Sequence, residues 1–227
     1  MGYFELYKTR VNAHGNSVVE SRENATRNLI ESSFKDSSAY LVVKINGENV
    51  DARLIHRNVY EIKALQFKPD TLFVVGEIVD IEVSNGIGGT NTEKWIITNF
   101  EKDELFPRAD IQLCNNTLTI QTGTTQTLIG YDDLGRPIYE ETPDYDNFPC
   151  ITERTTNLYT DFDNPINLPE GRMFVTIPYT DEESIKEGLE FDMYGSKHKI
   201  VTVDKTKTYD NGQNISGIII LIVEKIV

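Results

Sequence analysis

"GEIVDIEVSNGIGGTNTEKWIITNF", residues 76–100, holds a glycine-rich segment followed closely by the only tryptophan of the chain, Trp95. Two readings compete for it. In one, residues 85–91 cradle a phosphate and Trp95 is a stacking platform. In the other, the glycines form the bend that returns one strand beside another. The common phosphate fingerprints both need a helix N-terminus directly after the glycines, because the backbone N–H groups there hold the anion. This segment is not GxGxxG, has no Lys-Ser/Thr pair after it, and runs into Lys94-Trp95-Ile96-Ile97-Thr98, which has strand composition. The hairpin is therefore the expectation, with Trp95 packed across a small β-barrel. Stacking of the indole on a sugar or base is the alternative.

The same plan returns at 187–205, "EGLEFDMYGSKHKIVTVDK", where His198-Lys199-Ile200-Val201-Thr202 takes the place of Lys94–Thr98. There the turn shrinks to Tyr194-Gly195-Ser196, which suits a bend and not a phosphate cradle. Working outward, Tyr40–Ile45 reads as a strand ending at Asn46-Gly47, a strong two-residue hairpin signal, with Val50–Ile55 as its return. Leu72–Val75, Ile78–Val83, Lys94–Thr98, Ile111–Cys114 and Leu118–Gln121 read as further short strands. The run Ile218–Val223 suits a buried strand. Residues 126–140, "QTLIGYDDLGRPIYE", form a second hairpin candidate, with Gly135 supplying positive φ at its turn. From Tyr131 to Asp146 six acids face the single base Arg136, so this stretch reads as an exposed arm or linker.

One helix is expected near the N-terminus. Ala25, Leu29, Ile30 and Phe34 fall at helical spacing, with Ser17 or Ser21 as cap. Thr9–Ser17 is polar and reads as a loop or arm. The fold class is mainly β: two small β-barrel or sandwich units, one N-terminal α-helix and an extended hairpin arm. The expected division is 1–36 for the N-terminal arm and helix, 37–122 for the first β unit, 123–165 for the acidic arm or linker, and 166–227 for the second β unit.

Composition narrows the function. The formal net charge is −14 over 227 residues, which disfavours dedicated nucleic-acid binding because such a surface repels phosphates. It also suits the wall of a passage to which DNA must not stick. No apolar run approaches the roughly 20 residues of a spanning helix, and no leader pattern opens the chain, so a protein made and kept in the cytoplasm is expected. Cys114 and Cys150 stand alone and are expected to be buried free thiols. His14, His56 and His198 form no ligand cluster. The pairs Asp161/Asp163 and Asp144/Asp146 resemble calcium loops only faintly, lacking the central Gly and terminal Glu. No catalytic constellation, cofactor site or metal site is expected. An acidic β-fold hydrolase is the least favoured alternative.

Three stretches carry a family resemblance: "RVNAHGNSVVESRENATRNLIESSF" with "AYLVVKINGENVDARLI", then "GEIVDIE…KWIITNFEKDELFPRADIQLCNNTLTIQ", and "FVTIPYTDEESIKEGLEFDM". Together they resemble the head–tail connector, or head-closure, proteins of the neck of tailed bacteriophages of Gram-positive hosts. The arm at 126–146 is longer than that pattern, and Thr119-Ile120 stands where it has Lys-Trp. The resemblance implies a virion structural protein, not an enzyme, whose copies form a homo-oligomeric ring. That ring would contact portal or adaptor and tail proteins and let packaged DNA pass without sequence-specific binding. It implies no membrane partner. The residues expected to make interactions are Tyr131, Asp132, Asp133, Arg136, Tyr139 and Asp144. A carbohydrate-binding or other tail or baseplate module, with Trp95 exposed, is the alternative.

Overall fold

The computed structural model describes residues 2–11, 15, 17–57, 59–84, 86, 88–156, 166–167, 171–210, 212 and 214–226. The chain divides into two compact units, Met1–Val74 with Val79–Gln112, and Val75–Ile78 with Leu113–Val227.

The first unit opens with helices α1 (Tyr3–Val11) and α2 (Val18–Ser33). Of the two expected caps, Ser17 and Ser21, it is Ser17 whose side chain accepts from the Glu20 N–H at 3.1 Å. Helix α1 takes up residues from Thr9 that were expected to be loop. The buried stripe of α2 also differs from expectation. Ile30 and Phe34 are buried, but Leu29 is 67% exposed. Phe34 is fixed by Arg53, which stacks 4.3 Å from its ring and donates to the carbonyls of Phe34 and Ser33. One guanidinium thus satisfies helix-end carbonyls that have no partner within the helix.

Six strands follow: β1 (Tyr40–Ile45), β2 (Glu48–His56), β3 (Ile62–Phe67), β4 (Ile78–Ser84), β5 (Thr90–Glu101) and β6 (Arg108–Leu113). They close into a barrel in the order β1-β2-β3-β6-β5-β4, which leaves no sheet edge. The β1–β2 turn is the expected one: Asn46 (φ 52°) and Gly47 (φ 84°) are both left-handed, and Ile45 pairs with Glu48. Residues Leu72–Val75, expected as a strand, are not one. Pro69 and the left-handed Asp70 (φ 62°) turn the chain just before them. Phe73 instead packs its ring 4.5 Å from Phe67 and 6.3 Å from Phe100. Strand β3 was not anticipated.

The glycine-rich segment is answered here. Gly86 and Gly88 have positive φ, and strand β5 follows them without any helix. Trp95 is 0% exposed, among Phe67, Leu65, Ile97 and Ile111 in the same fully buried set. The carbohydrate-stacking alternative thereby loses its platform. Lys63 Nζ lies 4.2 Å from the Trp95 ring centroid and 3.9 Å from Glu93, so this nearly buried cation is held by a π face and a carboxylate.

The second unit contains β7 (Asn116–Tyr131), β8 (Pro137–Glu153), β9 (Thr155–Thr156), β10 (Ile166–Asn167), β11 (Arg172–Pro178), β12 (Glu190–Met193), β13 (Ser196–Asp204), β14 (Thr208–Asp210) and β15 (Ile215–Lys225). Its main sheet runs β12-β13-β15-β11-β8-β7, with β14 paired to β15. Strand β15 is central and buried over Ile218–Leu221, as its apolar run predicts. The core joins Leu118 and Ile120 of β7, Cys150 of β8, Val175 and Ile177 of β11, and Ile200, Ile219 and Leu221. The units therefore part at Gln112/Leu113 and not at 122, and much of the stretch expected as a linker forms strands of this sheet. The reason is that β7 and β8 each begin or end in the core and leave it only at their far halves. The acidic pair Asp161/Asp163 lies outside the described residues, as does His14. Asp144 and Asp146 sit in strand β8, not in a loop.

Candidate assembly arm

Strands β7 and β8 pair from Asn116/Cys150 to Tyr131/Pro137, which makes one long antiparallel ribbon. Its base is part of the core. Its outer part, beyond Ile120 and before Phe148, is exposed with only scattered half-buried positions. The point of departure has a specific cause. β8 pairs with β11 through Glu153/Phe174, Thr152/Val175 and Ile151/Thr176. Continued by two residues, that register would set Pro149 opposite Pro178, and neither has an N–H to donate. The sheet ends there and the ribbon goes on alone.

Besides the backbone ladder, side-chain hydrogen bonds cross between the strands: Thr119 Oγ1 to Asn147 Oδ1 (2.7 Å), Thr125 Oγ1 to Asp144 Oδ2 (2.6 Å) and Gln126 Nε2 to Glu141 Oε1 (2.9 Å). The ladder is interrupted between Gln121 and Gly123 and again between Leu128 and Gly130. Such bulges add twist and bend a ribbon. At the tip, the Asp132 carboxylate accepts from the N–H groups of Leu134 (2.9 Å) and Arg136 (2.7 Å), while Gly135 takes φ 76°. Sequence reading placed this turn and its glycine correctly.

Of the expected interaction residues, Tyr131, Asp133, Arg136, Tyr139 and Asp144 are exposed on the arm. Asp132 is half-buried and works within the turn, where its carboxylate also lies 3.9 Å from Arg136. Asp144 is tied to Thr125. The arm also carries apolar side chains that the expected set omitted: Leu134 is 74% exposed and Ile129 60%. Their signal was present in the sequence as apolar residues within the stretch expected to be an exposed arm.

Elsewhere in the second unit, a cavity of about 420 Å³ is lined by Arg154, Arg172, Lys225, Glu153 and His198, among others. Its positive charge is offset in part by Glu153 and by Glu224, which lies 3.4 Å from Arg172. His198 is buried, with Nδ1 2.9 Å from the Ser196 carbonyl. Cys150 is buried and its thiol is pushed up to about 12, chiefly by loss of hydration, so it stays protonated. Cys114, in no disulfide, is only half-buried, against the expectation of burial.

The second unit, arm included, is thus one body with its own core. Residues 112–224 match the YomX C-terminal domain. The match begins within one residue of the boundary that contacts alone give, so the family region and the structural unit coincide. The chain is also 33% identical over 145 residues to the SPbeta prophage-derived uncharacterized protein YomX of Bacillus subtilis (strain 168), an alignment covering 62% of this chain and 66% of that protein. It therefore spans just under two thirds of that relative. These similarities indicate a phage-derived protein. No solved structure matches the chain significantly. Among the described residues, no helix is long and apolar enough to cross a membrane.

Proposed function

We propose that this chain is a non-enzymatic structural protein of the phage neck, whose copies form a ring between the portal and the tail. The arm is the observation that carries this reading. A two-stranded ribbon with both faces in water is at best marginally stable, and this one spends Tyr131, Leu134, Ile129 and Tyr139 on exposed positions. Such a projection gains stability when another surface covers it. A ring needs two different complementary faces on each copy, and an arm reaching from one copy to the next supplies one. Portal or adaptor and tail proteins are the further partners of this reading. The excess of acids, 36 against 22 bases, suits a passage that packaged DNA crosses without adhering. No cofactor or metal enters this role.

The test is to replace residues 126–146 by a short Gly-Ser turn. The shortened chain is expected to stay folded and monomeric, while the full chain forms rings visible by negative-stain electron microscopy and native mass measurement. Rings that persist without the arm would remove it from assembly.

A further inference from the structure

The two edges of the arm are not equivalent. In an antiparallel ladder, alternate residues turn their N–H and C=O groups toward the paired strand and away from it. The paired stretch of β8 from Pro137 to Cys150 runs without a bulge, so this alternation is unbroken along it. Pro137, Pro143 and Pro149 are spaced six residues apart and share one phase with Tyr139, Glu141, Tyr145 and Asn147. Proline fits a sheet where the missing N–H faces away from the ladder. Thr117, opposite Pro149, agrees: its N–H turns to Asn116 Oδ1 at 2.8 Å. The outer edge of β8 is therefore the edge from which donors have been removed, and it also presents Glu141.

The outer edge of β7 has neither feature. Gln121, Thr124, Gln126 and Leu128 stand opposite Tyr145, Pro143, Glu141 and Tyr139, so their backbone groups face outward. No charged residue and no proline occurs from Ile111 to Tyr131. Among the described residues β7 pairs with β8 alone. An uncharged, threonine-rich edge with its donors intact is a template for an added strand.

The charge of the arm selects the occupant. A strand added to β7 lies about 10 Å from β8, two strand spacings away, which is about one Debye length at ordinary ionic strength. Six acids of residues 131–147 are balanced by Arg136 alone. A second copy arriving by its own β7 would bring the same acids and be repelled, whereas a cationic segment would be attracted. We propose that the outer edge of β7, from Gln121 to Leu128, receives an extended Lys- or Arg-bearing strand of a partner protein. This rests on the assembly reading above and adds to it the edge of the arm that takes one of the further partner proteins and the chemistry of the strand it receives.

The test uses the full-length chain and three ten-residue probes: a Thr/Val peptide with lysine at every third position, its glutamate counterpart, and the lysine peptide N-methylated at alternate residues. Hydrogen exchange of amides 121–128 is expected to slow at least tenfold with the lysine peptide, less so as salt is raised. The outward amides of Tyr139, Glu141 and Tyr145 should be unchanged, and the other two probes should have no effect. Thr124→Pro should abolish the protection without disturbing the hairpin, while Glu141→Pro should leave it intact. Protection along β8, equal binding of the glutamate peptide, no protection by the lysine peptide, or an arm-dependent dimer already protecting β7 in the free chain would each overturn the proposal. A chain that needs its arm for ring formation yet ignores the lysine peptide would refute only this inference.

Discussion

The barrel and the arm are built alike, of antiparallel strands joined by tight turns, yet they meet opposite ends. In the barrel, β1 closes onto β4, every edge is paired and the interior is filled around Trp95. In the arm, two strands with the same local pairing have, among the described residues, no layer above or below and two open edges. Pairing rules alone do not distinguish them. What distinguishes them is whether the apolar side chains of a strand find a second surface within the same chain. The barrel covers its own apolar side chains, whereas those of the arm, Leu134 and Ile129 foremost, lie exposed.

The largest effect that would break this contrast lies in the barrel. Trp95→Ala removes a fully buried indole and should lower stability by about 3–5 kcal/mol, read from denaturant unfolding followed by circular dichroism. Leu134→Ala at the arm tip should change it by less than about 0.5 kcal/mol. Equal losses at the two sites would mean that the arm is packed within the monomer.

A smaller effect concerns the arm itself. Asp132→Ala deletes the acceptor for the Leu134 and Arg136 N–H groups. The cost should be about 1 kcal/mol, confined to the tip. Amides of residues 132–136 should exchange faster while those of the barrel strands keep their rates.

An effect of similar size, seen only in acid, lies on the barrel side. Asp51 accepts from Lys68 Nζ at 2.5 Å and from the Tyr40 hydroxyl at 2.6 Å, and these bonds, the Lys68 one foremost, hold its carboxyl at about 2, below its ordinary 3.8. A carboxylate lowered in the folded state contributes stability above its unfolded value, and that contribution is lost as pH falls from about 3.8 to about 2. Asp51→Asn should remove this part of the acid sensitivity, about 1 kcal/mol given that the site is partly exposed. An unchanged slope between those pH values in the variant would assign the acid loss to other carboxylates.

Several elements were legible because they depend on neighbours in sequence. Asn46-Gly47 and Gly135 marked their turns, since only residues that tolerate positive φ fit there. Ser17, one of two candidate caps, marked the start of α2. The run Ile218–Val223 marked a strand buried on both faces. Strand β3 was missed because Ile62–Phe67 mixes Lys63, Ala64 and Gln66 with its apolar residues, and only barrel closure makes Lys63 a buried residue beside Trp95. Leu72–Val75 had strand composition, but Pro69 and Asp70 redirected the backbone ahead of it. The exposure of Leu29 contradicts a helical face that spacing alone assigned, because spacing gives a stripe and the packing partner decides which part of it is covered.

The sequence by itself determined the mainly β fold, its principal turns, the acidic projection and the conversion of the glycine-rich segment into a bend, all of which follow from local backbone preferences and charge. Tertiary structure alone decided that six strands close on themselves, that the units part at Gln112/Leu113, and that the ribbon leaves the sheet where Pro149 would face Pro178. Those outcomes depend on which distant strand lies alongside, and a linear pattern carries no record of that neighbour.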